Sequence, residues 1–150
     1  LHALKYEVAV DPLFTGEWGG EEEVFHRLLG ATHRDARQAA VGRRALFLDP
    51  DTGVREQATR RHVSFNQLAA EANQFDLVFT FDQSFSRQCN PATAMTTKLQ
   101  ALSDRGLTSL YYDSHARFLF TSRAPSAITE LAKQLDQTGI PARRLIRSAV

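Results

Sequence analysis

The chain has 150 residues and a formal net charge of +1, with 43% hydrophobic and 23% charged residues. This length suits one domain with a sizeable core, and the composition excludes collagenous, disordered and coiled-coil chains. No apolar run reaches the roughly 18 residues of a membrane span, and the first residues lack the pattern of a signal peptide. The single cysteine, Cys89, excludes an internal disulfide framework and a zinc site of paired cysteines. We therefore expect a cytoplasmic protein with no membrane partner, and the sequence leaves its oligomeric state open.

Arginine accounts for fifteen of the eighteen basic residues, and eight of these arginines lie between positions 27 and 61. The planar guanidinium donates paired hydrogen bonds to phosphate or carboxylate, so this stretch is a candidate phosphate-binding surface. Genome composition and a solvated helix face explain the same enrichment without any ligand. Because the net charge is only +1, binding of nucleic acid requires such a local patch.

In the first half of the chain, short apolar runs alternate with segments of helical period. Tyr6–Asp11 is a predicted strand that ends at Pro12 and a cluster of glycines. Three glutamates at 21–23 suit the first turn of a helix, which we expect to continue to about His33. A buried strand is predicted over residues 45–48, and strong turn residues follow it up to Gly53.

In the second half, Ser64 and Gln67 predict a capping box at the start of a helix. Asn90 and Pro91 predict the start of another helix, which we expect to end at Gly106. The remaining predicted elements are strands over 75–81, 107–112 and 117–121, a helix over 126–136 and an edge strand over 140–146. This succession predicts a Rossmann-like, three-layer α/β domain with a mostly parallel sheet and an antiparallel C-terminal hairpin.

Four predicted strands end in an aspartate: Asp11, Asp49, Asp82 and Asp113. Parallel strands present their carboxyl ends at one edge of the sheet, where open α/β folds bind ligands. Carboxylates that converge require a divalent cation, arginine partners or raised pKa values, and Mg²⁺ or Mn²⁺ prefers such oxygen ligands. An aspartate after a strand often only starts a turn or caps a helix, so the recurrence is what favours a metal site.

Asp49 and Asp51 form the best ligand pair, because a DxD pattern directly after a buried strand places two carboxylates on one short loop. Pro50 fixes the backbone between them. Gly53 permits a positive φ or a close approach of the backbone to a ligand. We predict that Asp49, Asp51 and Asp82 are the metal ligands.

Basic side chains near these acids are the predicted substrate-binding residues: Arg60, Arg61, His62, Arg87 and Arg117. The arginines suit a phosphate group, and His62 suits phosphate binding or proton transfer near neutral pH. In the DSHARF segment, Asp113 and His115 are the predicted catalytic residues. There Asp113 would orient the imidazole of His115 for general acid or base work. Equally, His115 would be a turn residue whose nitrogens are satisfied by backbone carbonyls.

Segments 46–54, 75–87 and 110–122 together resemble a group of uncharacterised bacterial proteins. That group carries an F-L-D-P-D-[NT]-G signature and a later S-H-A-x-F-L-F segment, and the resemblance covers about the last two thirds of this chain. It implies family membership and no particular activity.

The same residues also resemble motifs of two larger superfamilies. The acidic-proline motif after a strand, with a terminal hairpin, looks like the C-terminal half of a class I methyltransferase, which implies S-adenosylmethionine as the cofactor. That resemblance places Asp49 and Asp51 beside the methyl acceptor, although GEWGG at 16–20 is a poor match to the family's glycine-rich motif. The motif also resembles that of haloacid-dehalogenase phosphatases, implying Asp49 as nucleophile, Asp51 as acid/base and Lys98 as the phosphate lysine.

Three functions follow from these residues. The first is a divalent-metal-dependent phosphoesterase or nuclease that acts on nucleic acid or a phosphorylated small molecule. The second is a methyltransferase-like domain that uses S-adenosylmethionine. The third is a noncatalytic module that binds a nucleic acid or a protein.

Overall fold

The computed structural model describes residues 4–11, 31–33, 42–85 and 90–148. Its strands are β1 (Tyr6–Asp11), β2 (Ala31–His33), β3 (Arg43–Leu48), β4 (Gly53–Arg55), β5 (His62–Ser64), β6 (Leu77–Phe81), β7 (Thr108–Tyr112), β8 (Phe118–Ser122) and β9 (Leu145–Arg147). Seven of them form a mixed sheet in the order β2-β1-β3-β6-β8-β7-β9, and β4 and β5 form a separate parallel pair. The fold of the described residues is therefore mixed α/β.

The described helices are α1 (Phe65–Glu71), α2 (Pro91–Ser103), α3 (Pro125–Gln137) and a 3₁₀ turn over Ala142–Arg144 that leads into β9. Within the described ranges, no helix combines the length and the apolar character that crossing a bilayer demands.

Five of the seven strands in the main sheet run in the same direction. Strands β2, β1, β3 and β6 are parallel neighbours. Strand β8 is antiparallel to both β6 and β7, so β7 has the direction of β6. The carboxyl ends of these five strands lie at one edge of the sheet, which we call the carboxyl edge. As the sequence predicts, the backbone positions of the four strand-ending aspartates lie at this edge: Asp11, Asp49, Asp82 and Asp113.

Successive residues of β3 pack into two different cores, because neighbouring side chains of a strand point to opposite faces of the sheet. Leu46 and Leu48 share one core with residues of α1 and α2, such as Leu99. Phe47 shares the other core with residues of α3, such as Ile128. All five side chains are at most 2% exposed, and full burial of each is worth about 1.5–3 kcal/mol. Packing on both faces fixes the end of β3, and with it the start of the Asp49 loop.

Several local predictions are confirmed. Strand β1 has the predicted bounds. At the start of α1, the Ser64 side chain accepts from the Gln67 backbone while the Gln67 side chain accepts from Ser64 N, which completes the capping box. Asn90 caps α2 by accepting from Ala92 N at 2.9 Å.

The predicted glycine end of α2 is also confirmed. Gly106 has a φ of +73°, and Leu107 N donates to Leu102 O at 3.1 Å, the bond that closes a helix in the Schellman manner. The regular helix itself ends at Ser103.

Several element boundaries differ from the sequence prediction: the strand predicted from residue 75 begins at Leu77, and the predicted edge strand is Leu145–Arg147. Two further differences have a visible cause in the structure. The prediction of a helix that continues to about His33 is wrong at that end. Ala31–His33 is a strand, and it pairs with β1 from Val8 to Val10. The rest of that predicted helix lies outside the described residues. Strand β3 begins at Arg43 rather than at residue 45, because Arg43 and Arg44 pair with β1 while the Arg44 backbone N–H donates to the Asp76 carboxylate at 2.8 Å.

Candidate functional site

A cleft of about 330 Å³ opens at the carboxyl edge beside the end of β3. It is lined by Asp49, Pro50, Asp51, Thr52, Phe81, Gln83 and Ala116. Asp49 is 8% exposed, whereas Asp51 is an exposed residue at the rim. The two acids of the DxD motif, Asp49 and Asp51, therefore line the same cleft.

The loop that carries these two acids is tied down on both sides. Thr52 N donates to Arg61 O at 2.8 Å, and Gln83 N donates to Thr52 O at 3.0 Å. The Arg61 side chain forms an ion pair with Asp51. These contacts fix the lining of the cleft to the start of β5 and to the end of β6.

Gly53 adopts the positive φ that the sequence predicts, with a value of +140°. The close approach that its missing side chain permits is to Asp82, because a Cβ there would lie 2.3 Å from Asp82 Oδ1 and 2.8 Å from Asp82 Cα. Only glycine fits this position without displacing the end of β6. The glycine of the motif thus serves the packing of the loop against Asp82.

Asp82 is completely buried and accepts five hydrogen bonds. Its Oδ1 atom accepts from Val54 N at 3.0 Å, and from Ser84 N and Oγ at 3.2 and 2.7 Å. Its Oδ2 atom accepts from Lys98 Nζ at 2.6 Å and from Tyr111 Oη at 2.5 Å. These donors occupy the acceptor positions of the carboxylate, so we do not retain Asp82 as a predicted metal ligand. The same hydrogen bonds join four parts of the fold to one another.

Lys98 completes this buried cluster. Its ammonium also donates to Val54 O and to Ser84 Oγ, both at 2.8 Å, so each of its three protons has an acceptor. The pKa of Tyr111 is raised well above 10, first because its hydroxyl is buried and second because it faces the Asp82 charge. Lys98, the residue that the phosphatase resemblance implies as the phosphate lysine, contacts Asp82 in this structure. We call Asp82, Ser84, Lys98 and Tyr111 the Asp82 cluster.

His62 begins β5 and is partly buried. Its Nδ1 atom lies 2.9 Å from Thr59 Oγ1, while Nε2 is buried without a hydrogen-bond partner among the described residues. Burial lowers the pKa of His62, and the nearby Arg55 charge lowers it further. Both effects favour the neutral imidazole. Arg60 and Arg61 are both exposed beside the cleft.

The loop between β7 and β8 contains Asp113, His115 and Arg117. Asp113 Oδ1 lies 3.0 Å from Arg117 Nε in an ion pair, and Arg117 Nε has no hydrogen-bond partner among the described residues. The Arg117 guanidinium also stacks over the Phe85 ring, 4.9 Å from its centroid. Asp113 thus partners Arg117, and His115 is exposed next to Ala116 of the cleft.

The spacing of the strands separates the predicted acids along the edge. Strands β6 and β8 lie between β3 and β7, so Asp49 and Asp113 are three strand spacings apart, about 14 Å. Asp113 therefore cannot share an ion directly with Asp49. Within the described ranges, no group of three or more His, Cys, Asp or Glu side chains is arranged to hold a metal ion. Arg87 and Cys89 lie outside those ranges.

Sequence reasoning missed Tyr111 entirely and assigned Lys98 only by resemblance. A signal for Lys98 exists, since it falls three residues after Met95 and four before Leu102, on the buried side of α2. A lysine on an apolar helix face requires a partner for its charge. Tyr111 carries no comparable signal, because a tyrosine in a buried strand is ordinary.

Comparisons with known proteins add no relatives. No family model matches the sequence, and neither a curated protein nor a solved structure matches it.

Proposed function

We propose that the cleft binds a divalent cation through Asp49 and Asp51 and that the chain is a metal-dependent phosphoesterase. The observation that carries this proposal is that both carboxylates of the DxD loop line one cleft at the carboxyl edge. Mg²⁺ is commonly held by one or two protein carboxylates together with waters and substrate phosphate. Two acids are therefore enough, provided that the substrate supplies the remaining ligands.

This arrangement has a consequence for affinity. Asp51 is already paired with Arg61, so a cation at this site competes with a guanidinium until a phosphate arrives to take the arginine. We expect the cation and the phosphate to bind cooperatively, each more tightly in the presence of the other.

In the proposed reaction, a water oxygen forms the new bond to phosphorus while the ester P–O bond breaks. The leaving oxygen takes up one proton, and the proton lost by the water passes to solvent. We assign His115 as the donor of the first proton, because it is exposed next to Ala116 at the cleft wall. Arg60 and Arg61 would bind the phosphate oxygens, and a bound cation would stabilise the developing charge.

Mn²⁺ binding tests the proposal. The signal of free Mn²⁺ in electron paramagnetic resonance is followed as protein is added, with and without the dinucleotide pTpT. Wild type is expected to bind Mn²⁺ weakly alone and at least several-fold more tightly with pTpT. The double variant Asp49→Asn, Asp51→Asn is expected to lose both responses, since an amide is a poor replacement for an anionic ligand.

The matched control is Asp104→Asn with Asp136→Asn, which removes the same charge from two exposed positions outside the cleft. It should bind Mn²⁺ as wild type does. Equal loss in both double variants, or no Mn²⁺ binding by wild type in the presence of pTpT, would reject the metal site.

We further propose that the described elements belong to a Rossmann-like, three-layer domain whose C-terminal strands form a hairpin. Its support is that α1 and α2 contribute to one core while α3 contributes to the other. The loop of residues 113–117 between the antiparallel strands β7 and β8 supports the hairpin.

The strand order favours one second candidate, a methyltransferase-like domain. Strands β2 and β3 flank β1, so the order of the sheet reverses at β1. Open α/β sheets bind nucleotide-type ligands in the crevice at such a reversal, and Asp49 follows β3 beside it. Calorimetric titration with S-adenosylmethionine discriminates the two functions: binding of that molecule with no Mn²⁺ response would favour the second candidate over the first.

A further inference from the structure

Two exposed arginines lie at the far end of the carboxyl edge. Arg143 and Arg144 occupy the 3₁₀ turn before β9, and Leu145 of β9 pairs with Tyr112 at the end of β7. Asp113 N donates to Arg144 O at 2.8 Å, which holds the turn against the β7–β8 loop. Neither guanidinium has an ion-pair partner among the residues that the structure describes.

A second pair of exposed arginines lies on the other side of the cleft. The backbone of Arg61 accepts from Thr52 N, and its side chain pairs with Asp51. Arg60, the preceding residue, is exposed and has no ion pair within the described part of the chain. The cleft of Asp49 and Asp51 thus lies between Arg60 and Arg61 on one side and Arg143 and Arg144 on the other. We call these two arginine pairs the basic flanks.

The distance between these flanks restricts the ligand. Arg61 contacts Asp51 in the loop after β3, and from β3 to β9 there are four strand spacings, about 19 Å along the sheet. Successive phosphates of one duplex strand are about 3.4 Å apart along the helix axis, so a nucleic acid of several nucleotides covers this length. A small phosphorylated metabolite that fills the cleft does not reach Arg143 or Arg144.

We propose that the carboxyl edge binds a nucleic-acid backbone that runs from Arg60 and Arg61, across the cleft, to Arg143 and Arg144. The inference deepens the proposed function and rests on it, since it names the phosphodiester of a nucleic acid as the ester brought to Asp49 and Asp51. Phosphate contacts of this kind bind without reading sequence. The flanks position the strand, and the cleft lies beneath one of its phosphates.

The test is the salt dependence of binding to a fluorescent 20-nucleotide single-stranded DNA, followed by anisotropy in EDTA. Each phosphate contact contributes about 0.7 to the slope of log affinity against log salt concentration for single strands. Replacement of Arg143 and Arg144 by Gln is therefore expected to weaken binding and to make the slope shallower by about 1.4. The matched control, Lys5→Gln with Arg43→Gln, removes two positive charges from exposed positions just before β1 and at the start of β3, on the opposite edge.

The control should leave the slope unchanged. An equal change in both double variants would overturn the proposal, because a general loss of charge would then explain the binding. So would binding to phosphatidylserine vesicles with no binding to the oligonucleotide.

The same measurement on Asp49→Asn, Asp51→Asn separates the two proposals. This variant is expected to keep its oligonucleotide binding in EDTA while losing Mn²⁺. If the wild-type protein binds the oligonucleotide through its arginines but does not bind Mn²⁺, the metal site is refuted and the proposed nucleic-acid surface is retained. Mn²⁺ binding without any response to Arg143→Gln, Arg144→Gln would refute the surface alone.

Discussion

Replacement of Lys98 by methionine is expected to destabilise the protein strongly, since it leaves a buried charge without its counter-ion. Asp82 is 0% exposed and its Oδ2 atom lies 2.6 Å from Lys98 Nζ, while the Lys98 side chain is 14% exposed. Methionine retains most of the aliphatic stem, so the packing of α2 against the sheet changes little.

The expected magnitude follows from what remains around the carboxylate. Removal of one partner from a buried ion pair typically costs about 3–5 kcal/mol. The hydrogen bonds from Val54, Ser84 and Tyr111 to Asp82 persist, so we expect the lower end, a loss of about 3 kcal/mol in the free energy of unfolding. For a chain of this size that corresponds to a fall of about 6–12 °C in Tm.

Urea denaturation of wild type, Lys98→Met, Asp82→Asn and the double variant measures this. The double variant removes both charges, so its loss of stability should be smaller than the sum of the two single losses by at least about 1.5 kcal/mol. Lys133→Met, on the exposed face of α3, serves as the control and should change stability by less than about 0.5 kcal/mol. A loss below about 1 kcal/mol in Lys98→Met, or simple additivity in the double variant, would refute a charge-paired cluster.

Three further predictions concern single residues of the β4–β5 pair. Gly53→Ala should lose more than about 2 kcal/mol in urea denaturation, because the new Cβ meets Asp82 at a φ of +140°; a neutral result would disprove the tight contact. Ser64→Ala should cost about 1 kcal/mol by removing the cap of α1, and an unchanged midpoint would show that the cap is not used. Burial lowers the pKa of His62, so the folded state binds fewer protons than the unfolded state below about pH 6.5, and stability should fall as pH falls through that value. His62→Gln should flatten that part of the pH profile, whereas an identical profile would exclude His62 as its source.

The elements predicted well from the sequence are those whose ends carry local chemistry. The capping box at Ser64, the Asn90 cap and the Gly106 turn act over a few residues, so the sequence contains the whole cause. The strand at Ala31–His33 forms because β1 offers a parallel neighbour, and the helical pattern of the sequence carries no trace of that partner. Long-range pairing overrode local periodicity there.

The candidate site divides in a similar way. The DxD motif and its position after a buried strand were visible because both depend on neighbours in the chain. The role of Asp82 was not, since its partners Lys98 and Tyr111 are brought to it by α2 and β7. A strand-ending aspartate gives the same sequence signal whether it faces a cleft or a buried lysine.

Anomalous diffraction tests the proposed cation site directly. Crystals soaked in Mn²⁺ with pTpT are expected to show an anomalous peak within about 2.5 Å of carboxylate oxygens of Asp49 and Asp51. That peak should be absent from crystals of Asp49→Asn, Asp51→Asn treated in the same way. An anomalous peak elsewhere, with the cleft empty in wild-type crystals, would contradict a metal-dependent function at the carboxyl edge.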